Sequence, residues 1–241
     1  LSFAGILGMI DPPRESVKES VLLCKKAGIR TIMITGDSID TATAIAKNVG
    51  IISSDKEAIL GNQLDKYNDK ELKNIVKQYS VYARVNPTHK ERIVFALQNS
   101  GKIVAMTGDG VNDAPALKNA DIGIAMGQNG RDVAKNASDM ILTDDNFVTI
   151  VSAVKEGRNI YDNIKKAIHF LIATNVGEIV TIFFGLFLGL ESPLLAIQLL
   201  WINLVTDSIP AIALGLERPE TDIMDKKPKD SKKGIFADGL W

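Results

Sequence analysis

Apolar and polar positions follow two different rules along this chain, and the change falls near residue 150. Before it, short apolar runs alternate with amphipathic stretches. Ile29–Ile34 is β-branched and apolar and ends at Thr35-Gly36-Asp37, which reads as a strand running into a turn. Arg14–Lys26 has helical spacing through Val17, Val21 and Leu22, with Gly28 as its stop. Ser38–Asn48 reads as a second helix closed by Gly50. Val81–Val85, Lys102–Met106, Asp121–Ala125 and Met140–Leu142 read as further strands. His89–Gln98 reads as a helix with Ile93, Val94 and Leu97 inward. Alternating strands and helices predict a parallel sheet covered on both faces, an α/β fold. Residues 53–78 are polar and read as a peripheral, irregular excursion. The predicted domain of this type covers 1–150.

After residue 150 the apolar runs lengthen. Residues 151–166 predict an amphipathic stalk helix with Val151, Val154, Ile160 and Ile164 on one face. No proline separates it from the apolar run that begins at Ala167, so one continuous helix would carry motion from the sheet domain onward. Residues 167–190 and 194–216 are nearly all apolar over 24 and 23 positions. Each reaches about 30 Å at 1.5 Å per residue, the depth of a bilayer core. The alternative is a pair of buried helices in a soluble protein. Glu191-Ser192-Pro193 leaves room only for a tight hairpin. Arg158, Lys165 and Lys166 precede it, and Lys226, Lys227, Lys229, Lys232 and Lys233 come after it. The positive-inside rule then puts 1–166 and 217–241 in the cytosol, with membrane lipid around the hairpin. Residues 217–241 read as a cytosolic loop, whose plainest reading is a solvated connector.

Composition adds little to this picture. A formal net charge of −1 over 241 residues gives no signal for nucleic acid. The single cysteine, Cys24, sits in an apolar run and reads as a small buried residue rather than half of a disulfide. Leu1 and Trp241 stand in mid-pattern, so the sequence reads as part of a longer chain.

The chemistry gathers on the turns after the strands. "TGDGVNDAPAL" at 107–117 puts Asp109 and Asp113 where parallel sheets do their chemistry, at a strand's carboxyl end. Asp37 holds the same place after its own strand. The glycines bare amide N–H groups that hold phosphate. Asp109 and Asp113 are four apart across a turn and suit Mg²⁺, which takes one or two carboxylates plus phosphate. Asn112 can donate to a phosphoryl oxygen, and Lys90 can offset charge on it. The alternative is a set of ordinary Asp/Gly turns. Inside the apolar spans, Asn175 and Glu178 share one helix face, and Asn203, Thr206 and Asp207 share another. A carboxylate in hydrocarbon costs about 2.5–3.5 kcal/mol, so it marks a pathway or site. Their hard oxygens suit Ca²⁺. Pro210 lacks the N–H that would bind the Thr206 carbonyl, which frees that oxygen. The alternative is polar residues that join the helices. His169 reads as interfacial or packing, and Trp201 as lipid- or helix-facing.

These stretches resemble the P-type cation-transporting ATPases, whose phosphorylation domain is of the haloacid-dehalogenase type. "DPPR" at 11–14, "MITGD" at 33–37 and "ARVNPTHKERIV" at 83–94 match as well as the turn at 107–117. The resemblance implies that Thr35, Gly36, Asp37, Arg84 and Lys90 contact ATP or its phosphoryl group. It implies that Asp109, with Asp113, binds Mg²⁺ and that Asn112 and Asp113 complete the site. "NVGE" at 175–178 and "NLVTD" at 203–207 resemble the Ca²⁺-transporting, sarcoplasmic-reticulum-like subgroup. There the matching Asn175, Glu178, Asn203, Thr206 and Asp207 coordinate Ca²⁺ in the fifth and sixth membrane helices. The family's phosphorylated aspartate lies in a DKTGT motif, and no such motif occurs here. The resemblance thus implies an acceptor, a nucleotide-binding domain and an actuator domain in other parts of the polypeptide. These residues alone are expected not to form a phosphoenzyme. A pump for Na⁺, K⁺ or H⁺, a membrane-anchored haloacid-dehalogenase-type phosphatase, and a non-catalytic relative remain as alternatives.

Overall fold

The structure is a computed structural model that describes residues 5, 12–191, 194–229 and 234. Asp11 of the DPPR stretch, Ser192 and Pro193 of the hairpin loop, and Lys232 and Lys233 lie outside the described residues. The chain divides after Val151 into two compact units.

In the first unit, short helices connect parallel strands. Helix α1 is Glu15–Lys26, followed by strand β1 at Met33–Ile34 and helix α2 at Ile39–Asn48. Strand β2 (Ala58–Leu60), helix α3 (Gly61–Leu64) and helix α4 (Asp69–Ile75) come next. Then follow β3 (Val81–Ala83), α5 (Pro87–Asn99), β4 (Ala105–Gly108), α6 (Ala114–Asn119), β5 (Ile122–Met126), α7 (Asp132–Asn136) and β6 (Met140–Leu142). The strands pair as β1-β3-β2 and β4-β5-β6, every pair parallel. The expected single sheet is therefore two three-stranded ladders. Ile34 and Val104 join them, because both pack against both main clusters of the core.

Local chemistry sets these boundaries. Ser38 caps α2 by accepting the Thr41 N–H at 3.3 Å. Gly28 and Gly50, at φ 73° and 84°, end α1 and α2 where a side chain would be strained. Asn86 accepts the His89 N–H at 2.8 Å, and His89 Nδ1 accepts the Asn86 N–H at 3.2 Å. That reciprocal cap, with Pro87 at the first turn, starts α5 two residues before the expected position. The predicted strand at 102–106 shifts to Ala105–Gly108 because Asp121 intervenes. Its carboxylate accepts the Val104 N–H at 2.7 Å, and the Val104 carbonyl accepts the Asp121 and Ile122 amides. The strand expected at 29–34 shrinks to two residues. Arg30 instead reaches across to the carbonyls of Val76 and Tyr79.

Residues 53–78 are not a peripheral excursion. They form β2, α3 and α4, and place Ile59, Leu64, Leu72 and Val76 in the largest core cluster beside Tyr82, Ile93 and Leu97. Full burial of each such side chain contributes about 1.5–3 kcal/mol. Tyr82 is fully buried, donates to the Tyr79 carbonyl at 3.1 Å, and has its pKa pushed up by that burial. Cys24 is buried, as its apolar run predicts.

The second unit holds most of helix α8, Phe147–Phe187, 41 residues without a break. A paired hydrogen-bond cap closes it. Leu190 donates to Gly185 and Gly189 donates to Leu186, with Gly189 at φ 76°. The second apolar stretch is not one uniform helix. Helix α9 (Ala196–Trp201) passes into a π-helical segment (Ile202–Asp207) and then helix α10 (Ser208–Gly215). Pro210 supplies no N–H to the Thr206 carbonyl, so the regular ladder cannot pass this point. Ser208 Oγ donates to the Asn203 carbonyl at 3.2 Å and satisfies one displaced oxygen.

Both apolar helices are long enough to cross a bilayer, and hardly any of their most apolar stretches is buried against protein. A soluble core helix would be covered. The chain is therefore an integral membrane polypeptide, and Trp201 and His169 are exposed on its helices. The segment after α10 is not a solvated connector. Asn163, buried in α8, donates to the Gly215 and Glu217 carbonyls at 3.3 and 2.7 Å. Arg158 donates to the Ile223 and Lys226 carbonyls at 3.0 and 2.7 Å. Lys166 pairs with Glu217 at 2.6 Å, Lys229 pairs with Asp162, and Ile223 and Met224 are buried.

Candidate functional site

Two separate clusters carry the predicted residues. The first stands at the carboxyl ends of β1 and β4. After β4, a short 3₁₀ turn (Val111–Asp113) leads into α6 and swings Asp113 back over the strand end. Asp113 is buried, at 5% exposure. One of its oxygens pairs with Lys90 Nζ from α5, and the other accepts the Gly110 N–H at 3.2 Å. A Cβ at Gly108 would stand 2.4 Å from the Asp113 Cβ, so only glycine lets the two approach. Asp109 and Asn112 are exposed, and the Asp109 carbonyl accepts the Arg131 N–H at 2.9 Å.

The turn after β1 is latched to the turn after β3. Thr35 Oγ1 accepts the Asp37 N–H at 3.1 Å. The Thr35 carbonyl accepts the Val85 N–H at 3.2 Å, and the Asp37 carbonyl accepts the Arg84 N–H at 3.0 Å. Arg84 adopts φ 48°, a strained conformation for a side chain of its size. Gly36 and Asp37 are exposed, and nothing lies within 4 Å of a Cβ built on Gly36. That leaves a bare backbone amide beside a carboxylate. Among the described residues, no hydrogen bond or ion pair joins Thr35–Asp37 to Asp109–Asp113.

The donor set fits a magnesium ion in one particular way. Asp113 already has a cation and an amide. Asp109 is exposed on the same turn, while Lys90 is committed to Asp113 as a nearly neutral pair. Among the described residues no group of three or more His, Cys, Asp or Glu side chains surrounds a point in space. One or two carboxylates suffice for Mg²⁺, since phosphate and water complete its shell.

The second cluster lies where the π-helical segment faces α8. Asn203 Nδ2 donates to Glu178 Oε2 at 3.3 Å and to the Leu199 carbonyl at 3.0 Å. Among the described residues, Glu178 Oε1 is buried with no hydrogen-bond partner. Asp207 is 2% exposed, and its Oδ2 accepts the Thr174 hydroxyl at 2.8 Å. A buried carboxylate oxygen without a donor is costly, and a cation or a proton removes the cost. Asn175 and Thr206 stand apart from these pairs. Asn175 Nδ2 turns to the Leu171 carbonyl of its own helix at 2.6 Å, and Thr206 is exposed.

Sequence reasoning missed three contributors. Thr174 reads as one hydroxyl in an apolar run, and only the folded hairpin sets it against Asp207. Ser208 acts through a carbonyl that only the π-helical segment displaces. Arg131 acts through its backbone amide, which leaves no mark in a sequence.

Comparison with known proteins bears on the family of the chain. Residues 2–121 match the haloacid dehalogenase-like hydrolases, and residues 191–241 match the C-terminal region of cation-transporting ATPases. Calcium-transporting ATPase 1 of Bacillus cereus is 55% identical over 237 residues, 98% of this chain and 27% of that protein. Calcium-transporting ATPase 1 of Lactococcus lactis is 58% identical over 240 residues, 100% of this chain and 27% of its own length. The calcium-transporting ATPase of Bacillus subtilis is 53% identical over 237 residues, with the same coverage as the Bacillus cereus protein. The chain thus spans about a quarter of the length of these relatives. Its two matched regions and its identity to these relatives over nearly its whole length show that the chain belongs to the P-type cation-transporting ATPases.

Proposed function

We propose that this chain supplies the phosphoryl-site turns and part of the cation site of an ATP-driven Ca²⁺ pump. The observation that carries the cation assignment is the buried, partnerless Glu178 Oε1 beside Asn203, with Asp207 buried on the facing helix. Two carboxylates and a side-chain amide are hard oxygen ligands. They match the multidentate shell of Ca²⁺ better than the smaller, reluctantly dehydrated Mg²⁺. The calcium-transporting relatives, 53–58% identical, support the same cargo.

At the cytosolic cluster, the acceptor aspartate and the nucleotide-binding domain belong to parts of the polypeptide beyond these residues. Lys90 holds positive charge toward a transferring phosphoryl group while Asp113 fixes where its ammonium stands. Asn112 donates to a phosphoryl oxygen, and Thr35, Gly36, Asp37 and Arg84, on the turns after β1 and β3, contact ATP or its phosphoryl group. Mg²⁺, held by Asp109, neutralises charge on the phosphate oxygens when bound. In the membrane, Asn175 and Thr206 rotate inward to join Glu178, Asn203 and Asp207 when Ca²⁺ arrives. The Asn175 and Asn203 amide oxygens stay available, because their NH₂ groups make the hydrogen bonds seen here. When Ca²⁺ leaves, protons neutralise the two carboxylates.

ATP-driven ⁴⁵Ca²⁺ uptake into sealed vesicles holding the full-length protein tests the reading. Uptake that requires both ATP and Mg²⁺ is expected. ATP-driven movement of Na⁺ or K⁺ with no Ca²⁺ uptake would overturn the cargo. ATP or phosphoester hydrolysis with no ion movement would overturn the pump.

A further inference from the structure

One carboxylate outside both clusters is held by more of the backbone than either of them. Asp145 lies between β6 and α8, in the left-handed region at φ 49°. Its Oδ1 accepts the N–H groups of Gly127 at 2.6 Å and Gln128 at 3.0 Å, and its Oδ2 accepts that of Asn129 at 2.8 Å. Three successive amides turned to one side make an anion-holding concavity, and here the anion is the chain's own. Glycine is required at 127, where a Cβ would stand 2.4 Å from the Leu142 carbonyl oxygen. Desolvation opposes ionisation of Asp145, but the three amides outweigh it and lower its pKa. Arg14 Nη1 donates to the Asp145 carbonyl at 3.3 Å and ties down its backbone.

The loop that Asp145 clamps leads straight to the phosphoryl site. Two residues past Asn129, the Arg131 N–H donates to the carbonyl of Asp109. On its other side the clamp adjoins the first turn of α8. Asp144 accepts the Thr149 hydroxyl at 2.5 Å and the Asn146 N–H at 3.2 Å. Asn146 Oδ1 accepts the Val148 N–H at 3.1 Å. Five residues, 144 to 148, thus carry hydrogen bonds both to the loop behind Asp109 and to the root of the helix that bears Asn175 and Glu178.

We propose that Asp145 is a positioning residue that ties the Asp109 turn to the root of α8, so that a change at the phosphoryl site moves that helix. The proposal rests on the pump reading. Asp145 touches neither the phosphoryl group nor the cation. Its loss leaves phosphorylation in place and slows the transport that should come after it.

The test compares the full-length pump with Asp145→Asn and Asp145→Gly in membrane vesicles. Both replacements tolerate positive φ, so the backbone is kept. Asparagine retains an oxygen for some of the amides, and glycine retains none. Two quantities are read from each preparation: phosphoprotein formed from γ-labelled ATP per molecule, and the rate of Ca²⁺ uptake. The label should stay within about twofold of the parent. Uptake should fall in the order parent, Asn, Gly, with glycine lower by about two- to thirtyfold, the range that residues between coupled sites produce. Label and uptake falling in proportion would reduce Asp145 to a brace for the fold and overturn the proposal. Unchanged uptake in the glycine variant would also overturn it. If the glycine variant does not fold, the asparagine variant must show the same split at smaller amplitude. A parent that takes no Ca²⁺-dependent label contradicts the pump reading itself, which is distinct from failure of the variants alone.

Discussion

Asp113 and Glu178 are both carboxylates drawn away from water, yet only one of them is balanced. Asp113 has Lys90 on one oxygen and the Gly110 amide on the other. Glu178 has a single long hydrogen bond from Asn203 and a buried oxygen with nothing. The backbone around each differs in the same sense. Asp113 sits on a tight turn whose geometry Gly108 permits, whereas Glu178 faces a π-helical segment where the regular ladder fails. The Asp113 pair is already satisfied, which on the proposed reading is the preorganisation a phosphoryl site uses. Among the described residues the membrane carboxylate is left without a positive partner, and on the proposed reading a cation would supply it.

The strongest way to break this comparison is to remove Asp109, the exposed carboxylate on the same turn as Asp113. Asp109→Asn should slow phosphoprotein formation by on the order of 10²–10³-fold, the cost of one preorganised electrostatic contact. An initial labelling rate close to the parent's would show that Asp109 does not hold the metal. Less drastic is Gly108→Ala, which drives a methyl group into Asp113. Overpacking of this kind costs about 1–3 kcal/mol and should loosen the Lys90 pair. The measurement is thermal unfolding together with labelling rate, and an unchanged pair of values would mean the turn yields freely. In the membrane, Asn203→Ala removes the Glu178 donor seen among the described residues and, on the proposed reading, a ligand oxygen at once. The Ca²⁺ concentration for half-maximal labelling should rise roughly tenfold, as for loss of a hydrogen bond to a charged group.

The smallest effect concerns pH. Asp145 has a folded pKa below its ordinary 3.8. A lowered carboxylate pKa contributes stability that is fully present above the ordinary value and is lost as pH falls through the folded one. Hydrogen exchange at Gly127–Asn129, corrected for intrinsic rates, should therefore stay slow at neutral pH and speed up only below that range. Loss of protection near neutrality would contradict the clamp.

Much of this could be read before any coordinates. Helix stops at Gly28 and Gly50, the strand Met140–Leu142 and the inward face of α5 follow from spacing and caps, because each is a local rule. The two Asp-bearing turns were legible for the same reason. Residues 53–78 were not, since Ile59, Leu64, Leu72 and Val76 are shared among three elements too short to show a period. Asp109 and Asp113 looked equivalent in sequence, and what separates them is Lys90, brought from α5 by tertiary packing. The π-helical segment was visible only through Pro210, which marks a fault in the ladder without saying how the chain repairs it. Thr174 and the Arg131 amide carry no signature at all, because their partners lie on other elements.

The central claim is that charge missing at Glu178 is supplied by Ca²⁺ and sensed at the phosphoryl site. The direct test is phosphoprotein formation from γ-labelled ATP across a Ca²⁺ titration, in the full-length protein and in Glu178→Gln. The account predicts a label that requires Ca²⁺, with the requirement moved to higher Ca²⁺ in the variant. A label indifferent to Ca²⁺ in both proteins would contradict it.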